Sequence, residues 1–195
     1  MTVWNYGLMW KGIAAADPQR PAQIFGDTVY SWGDFHRRAN ALAHDMKQAG
    51  LSHQAKVAHY LFNCPEYLET TFGSFLGGYV PVNTNYRYGP EEILYLFDNS
   101  DAEAVVFHAV FADLCAQVRD RLPKVKRWYM VSDESGAALP EWALNYNDVV
   151  SKDVADVVPS KPLSEDDMLF LYTGGTTGMP KGVMWRQEDL LAVLG

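Results

Sequence analysis

Cysteine is scarce in this sequence: Cys64 and Cys115 are the only two among 195 residues. No C-x-x-C pair occurs, which excludes a disulfide framework, and the two isolated thiols read as reduced, buried and intracellular. Basic clusters are also missing. The densest basic stretch is Lys124, Lys126 and Arg127, and the formal net charge is −8. A protein that tracks the nucleic-acid backbone carries a basic stripe, so nucleic acid is excluded as a main partner. No run of 18 apolar residues is present to form a transmembrane segment. The opening MTVWNYGLMWKGIAAADPQRP lacks a basic start, and Asn5, Gly7 and Lys11 interrupt its apolar residues, so a signal peptide is not expected. These absences together predict a cytoplasmic protein. The five histidines, His36, His44, His53, His59 and His108, show no metal-ligand spacing. No metal-binding residue is therefore assigned. FGSFLGG lacks the G-x-S-x-G order of a serine hydrolase.

Apolar residues make up 48% and charged residues 21%, a globular composition. AQIFGDTVYSW reads as two short strands turning at Gly26-Asp27. A helix follows, with Ser31 as N-cap and Phe35, Ala39, Leu42, Ala43 and Met46 on one apolar face, ending at Gly50. Ala55–Asn63 reads as a strand, Glu66–Leu76 as a helix, Tyr79–Asn83 as an extended segment, and a further helix starts at Pro90. AEAVVFH and VKRWYMV are strand patterns separated by a helix over VFADLCAQVRDRL. This alternation predicts a layered αβα domain of the α/β class with a largely parallel sheet. The tyrosines Tyr79, Tyr86, Tyr88 and Tyr95 read as packing residues, and Met1–Ala16, with a single lysine, reads as core packing rather than a membrane face. The expected organisation is an amino-terminal α/β subdomain (1–131), an irregular linker with one helix over Trp142–Val150 (132–167), and a hairpin opening a second part (168–195). The chain is expected to end inside a domain.

Between the strand MLFLYT and the extended VMW lies the stretch YTGGTTGMPKG. Its glycines Gly174, Gly175 and Gly178 let successive N–H groups converge on an anion. Thr173, Thr176 and Thr177 add hydroxyl donors, and Lys181 adds a positive charge. The set suits a polyphosphate. Walker A requires GxxxxGK[ST], and here Pro180 precedes Lys181 while Gly182 follows it; GxGxxG fails at Thr176.

YTGGTTGMPKGVMW resembles the phosphate-loop signature Y-T-S-G-T-T-G-x-P-K-G-V of the adenylate-forming (AMP-binding) superfamily, which includes acyl-CoA synthetases, luciferases and peptide-synthetase adenylation domains. The one departure is Gly174, where serine is usual. The Gly-Gly form followed by MPKGVMWR is similar to a subgroup of bacterial fatty-acyl-CoA synthetases, some acting on bulky steroid-like carboxylates. YSWGDFHRRANALAHDMKQAGL and GGYVPVNTNYRYGPEEILYLFDNSDAEAVV resemble two earlier blocks of the family, the second with Asn99 between Asp98 and Ser100 as a departure.

The resemblance implies the amino-terminal part of the acyl-CoA synthetase large domain, truncated. It implies ATP, Mg2+ and coenzyme A as cofactor and co-substrates, and a small-molecule carboxylate as partner. Phosphate contacts carry over to Thr173, Gly174 (backbone only), Gly175, Thr176, Thr177 and Gly178, with Lys181 as the charged, catalytic partner. The family's Y-G-x-T-E block, whose glutamate binds magnesium, is absent. Tyr88-Gly89-Pro90-Glu91-Glu92 resembles it but precedes the loop and reads as a helix start. The 195 residues alone are therefore expected to be inactive, and a homodimer through surfaces that further chain would cover is a further expectation. The alternative reading is a non-catalytic nucleotide-binding or interaction module.

Overall fold

The computed structural model describes residues 3–174 and 179–194. It opens on a helix that the sequence patterning does not announce, α1 (Tyr6–Ala16), capped by Asn5. Its low amphipathicity hides it from periodicity; tertiary packing makes it. Tyr6 stacks on Phe75, and Trp10 sits edge-on to Phe72 with ring centroids 5.3 Å apart. Gly7 permits this approach, since a Cβ there would stand 2.8 Å from the Phe75 carbonyl oxygen.

The hairpin β1 (Pro21–Phe25) and β2 (Thr28–Ser31) leads into α2 (Trp32–Gln48), where the Asp34 N–H donates to Ser31 Oγ at 3.1 Å. Next come β3 (Lys56–Tyr60), α3 (Pro65–Gly77), β4 (Val80–Asn83), α4 (Pro90–Asn99) and β5 (Ala102–His108). Gly78 ends α3 in the left-handed conformation, φ 72°. The segment expected as one helix after β5 divides into α5 (Ala112–Val118) and flanking 3-10 turns. After β6 (Arg127–Val131), the expected helix over Trp142–Val150 is shorter. Leu144–Asn145 pairs with β6 as β7, and α6 (Tyr146–Val150) starts only after Asn145, whose side chain accepts from Asp148 N. The chain closes with β8 (Met168–Thr173), β9 (Lys181–Arg186) and α7 (Gln187–Leu194).

Seven strands form one sheet in the order β7-β6-β5-β3-β4-β8-β9. All neighbours are parallel except β8 and β9, which form an antiparallel hairpin. Alternation along the strands feeds two cores. Val57, Ala104, Val106, Tyr129 and Val131 pack with Leu42 and Met46 of α2 and with Tyr146 and Val149 of α6. Ala58, Tyr60, Val105, Phe107, Trp128 and Met130 pack with Ile93, Leu96 and Phe97 of α4 and Cys115 of α5. The result is the layered, largely parallel α/β arrangement that the alternation predicts.

One ionic group is sealed inside. Glu69 of α3 is fully buried, accepting from Arg38 Nε at 2.6 Å and from the Tyr146 hydroxyl at 3.1 Å. Burial pushes its carboxyl above the usual carboxylate range, with the Arg38 contact opposing. It ties α2, α3 and α6 together on one face of the sheet.

Candidate phosphate site at the end of strand β8

In parallel α/β sheets ligands gather at the carboxyl ends of the strands, and the glycine-threonine loop leaves β8 at that end. Thr173 and Lys181 are register partners across the β8–β9 hairpin, so the residues flanking the loop stand side by side. Both are exposed. Among the described residues Lys181 has no carboxylate partner within ion-pair distance. A hydroxyl and an unpaired ammonium at one mouth are suited to an anion. Gly174 is also described. Its backbone avoids the left-handed region, and a Cβ there would meet only the Tyr88 hydroxyl, at 3.7 Å. Nothing in the backbone thus requires glycine where the family signature has serine. Gly175, Thr176, Thr177 and Gly178, the remaining predicted contacts, lie outside the described residues.

The connection is shorter than the sequence suggests, because Lys181 and Gly182 belong to β9. Gly182 pairs with Tyr172 in register. A Cβ on Gly182 would fall 2.9 Å from the Tyr172 ring, so glycine is needed for the ring to lie there. That ring donates its hydroxyl to Asn99 Oδ1 at 2.8 Å. The Tyr172 N–H donates to Asn83 Oδ1 at 2.7 Å, and Asn83 Nδ2 donates to the Tyr172 carbonyl at 3.1 Å. Asn83, Asn99 and Tyr172 are thus residues of the site that sequence reasoning passed over. The signal available was an asparagine closing an apolar strand, at Asn83, and the departure at Asn99.

Tyr88–Glu92 is a helix start, as its composition predicts: Gly89 N–H donates to Glu92 Oε2 at 3.0 Å, and Pro90 opens α4. Below β8, His59, Tyr67, Asn83, Leu169 and Leu171 line a cleft of about 180 Å³. His59 is buried there, edge-on to Tyr67, and its Nε2 has no partner among the described residues. Burial lowers its pKa to about 3, so the imidazole is neutral at physiological pH. Burial also pushes the Cys64 thiol up to about 12 and the Cys115 thiol higher, which removes both as thiolate nucleophiles. Among the described residues no group of three or more His, Cys, Asp or Glu could hold a metal ion, and no helix is long and apolar enough to cross a membrane.

The family model described as AMP-binding enzyme matches residues 11–195. The chain belongs to the AMP-binding enzyme family. Among curated relatives it is 37% identical over 202 residues to the medium-chain acyl-CoA ligase Mig of Mycobacterium avium, covering 97% of this chain and 36% of that one. It is 38% identical over 187 residues to a medium/long-chain-fatty-acid–CoA/3-oxocholest-4-en-26-oate–CoA ligase of Mycobacterium marinum, covering 92% and 33%. The chain thus spans about a third of the length of these relatives. The fold matches that of the anthranilate CoA ligase AuaEII solved with anthranoyl-AMP, with a TM-score of 0.86 at 22% identity, over 98% of this chain and 37% of that one. The likeness is one of fold, over a little more than a third of that chain.

Proposed function

We propose that these residues supply the polyphosphate clamp of an ATP-dependent acyl-CoA synthetase. The full enzyme would convert a carboxylate and ATP to an acyl-adenylate and pyrophosphate, then pass the acyl group to coenzyme A. The observation that carries this reading is the pairing of Thr173 with Lys181 at the two ends of the YTGGTTGMPKG loop, at the carboxyl end of a parallel strand. As the carboxylate attacks the α-phosphorus, negative charge grows on the departing pyrophosphate. Lys181, Thr173 and the loop's further hydroxyl and N–H donors would meet that charge. The relatives' names point to a medium- or long-chain fatty acid or a bulky steroid-like carboxylate as substrate class. Two unpaired thiols fit a reducing cytoplasm.

Magnesium, implied by the family resemblance, would be held largely by the phosphates of ATP and by one or two carboxylates. The 195 residues lack a Y-G-x-T-E block after the loop. They are therefore proposed to bind the polyphosphate of ATP without completing adenylation. The test is a pair of measurements on the purified chain. Calorimetry with ATP should show binding that Lys181→Ala weakens by about tenfold or more. Carboxylate-dependent ATP–pyrophosphate exchange should be absent, and its appearance would show that the 195 residues are a complete catalyst. Equal ATP affinity in wild type and Lys181→Ala would instead favour a module whose business is not phosphate.

A further inference from the structure

We infer that Asn83 and Asn99 are positioning residues for Thr173 and Lys181, acting through Tyr172; this rests on the phosphate-binding role proposed above. Strands β4 and β8 share a single register pair, Val82 with Phe170. Where the next rung would form, the backbone of β4 is replaced by a side chain. Asn83 both accepts from the Tyr172 N–H and donates to the Tyr172 carbonyl. A carboxamide carries the same donor and acceptor as a peptide group but extends beyond its own backbone. It therefore satisfies β8 while letting the strand's end stand farther off than the usual ~4.8 Å between neighbouring strands.

The same tyrosine sets the other side of the loop. Its ring is fixed at the hydroxyl by Asn99, at the carboxyl end of α4, and its flat side leaves no room for a side chain on Gly182. Position 172 therefore holds β8 through its backbone and seats β9 through its ring. Thr173 and Lys181 lie one residue beyond those two anchors and are paired with each other. Neither asparagine would touch a phosphate. Their effect would be on the spacing between the threonine hydroxyl and the lysine ammonium, to which a multidentate anion is sensitive.

The test uses the 195-residue chain with inorganic tripolyphosphate and, separately, ATP. Dissociation constants come from calorimetry well below each variant's melting temperature, so that loss of fold and loss of position separate. Asn83→Ala and Asn99→Ala are each expected to weaken tripolyphosphate binding about tenfold or more, the effect of one well-made hydrogen bond. Asn99→Asp keeps an acceptor for the Tyr172 hydroxyl and is expected to recover most of that loss. In Asn83→Ala, hydrogen exchange at the Tyr172 N–H should rise at least about tenfold, while amides of β3 and β5 keep their protection. If both alanine variants bind as wild type, or if Tyr172 exchange is unchanged, the inference is overturned and the phosphate-binding role stands. If wild type binds neither anion, that role falls and takes the inference with it.

Discussion

Strand β8 is held in opposite ways at its two ends. At its root Asp167, Asn5, Gln54, Ser164 and Gln187 form a closed polar hub. Asp167 accepts from Asn5 Nδ2 at 3.0 Å, from the Ser164 N–H at 3.1 Å and from Gln54 Nε2 at 3.2 Å. Gln54 returns a bond to the Met168 N–H at 2.8 Å, and Gln187 ties in the start of α1 by accepting from the Tyr6 N–H. Asn5, Asp167 and Gln187 are all buried. At the other end, besides the pairing with β9, Asn83 and Asn99 hold Tyr172, and beyond them Thr173 and Lys181 are exposed. The root is tied by several hydrogen bonds, while at the tip Lys181 has no carboxylate partner among the described residues. A strand anchored on one side can present its other end to a ligand without losing its place in the sheet.

Substitutions at the two ends should therefore differ in kind. Asp167→Ala removes the acceptor of one buried donor, Asn5, and of two half-buried ones, Gln54 and Ser164, and is expected to cost about 3 kcal/mol of unfolding free energy, read by urea denaturation. Its effect on phosphate affinity in the folded protein should be small. A large affinity loss at full folding would break the contrast between root and tip.

Between the ends, His59 offers a second measure. Its folded pKa, near 3, lies below the unfolded value, so the unfolded chain takes up protons first as pH falls. Stability is therefore fully present above about pH 6.5 and is lost on the way down toward pH 3. From pH 7 to about pH 5 the His59 contribution to that loss is about 2 kcal/mol. His59→Leu should flatten the profile in that window, and an unchanged slope would mean that other groups dominate.

Gly182→Ala comes next, at about 1.5 kcal/mol from crowding the Tyr172 ring, followed by thermal melting. Unlike Asp167→Ala it should weaken tripolyphosphate binding as well, since it moves the tip. The smallest effect belongs to Gly174→Ser. The site is open and its backbone unstrained, so stability should move by less than about 0.5 kcal/mol. Equal or tighter tripolyphosphate binding is expected from the added hydroxyl.

Much of the fold is legible in the sequence. Ser31, Pro90 and Gly78 carry their roles in local chemistry, and the strand–helix alternation predicts the parallel sheet. The loop's composition suggests phosphate by itself, a reading that the tripolyphosphate titration tests. What stayed hidden depends on partners far along the chain. Helix α1 exists because Trp10 and Tyr6 meet Phe72 and Phe75, which no local period reveals. Likewise Asn83 looks like a turn residue until the strand beside it turns out to be β8, and the need for glycine at 182 appears only once Tyr172 lies across from it.

The cap of α1 has a consequence in time. Asn5 is bonded to Asp167, 162 positions later in the chain. During synthesis α1 is made well before the partner of its capping residue. Phe72 and Phe75, on which Tyr6 and Trp10 pack, are made well before Asp167, so the cap is the last of these contacts to close. Contacts of such sequence separation slow folding and prolong exposure of apolar surface. A ribosome-bound chain halted before Asp167 should therefore leave α1 sensitive to protease, and one released past Gln187 should protect it.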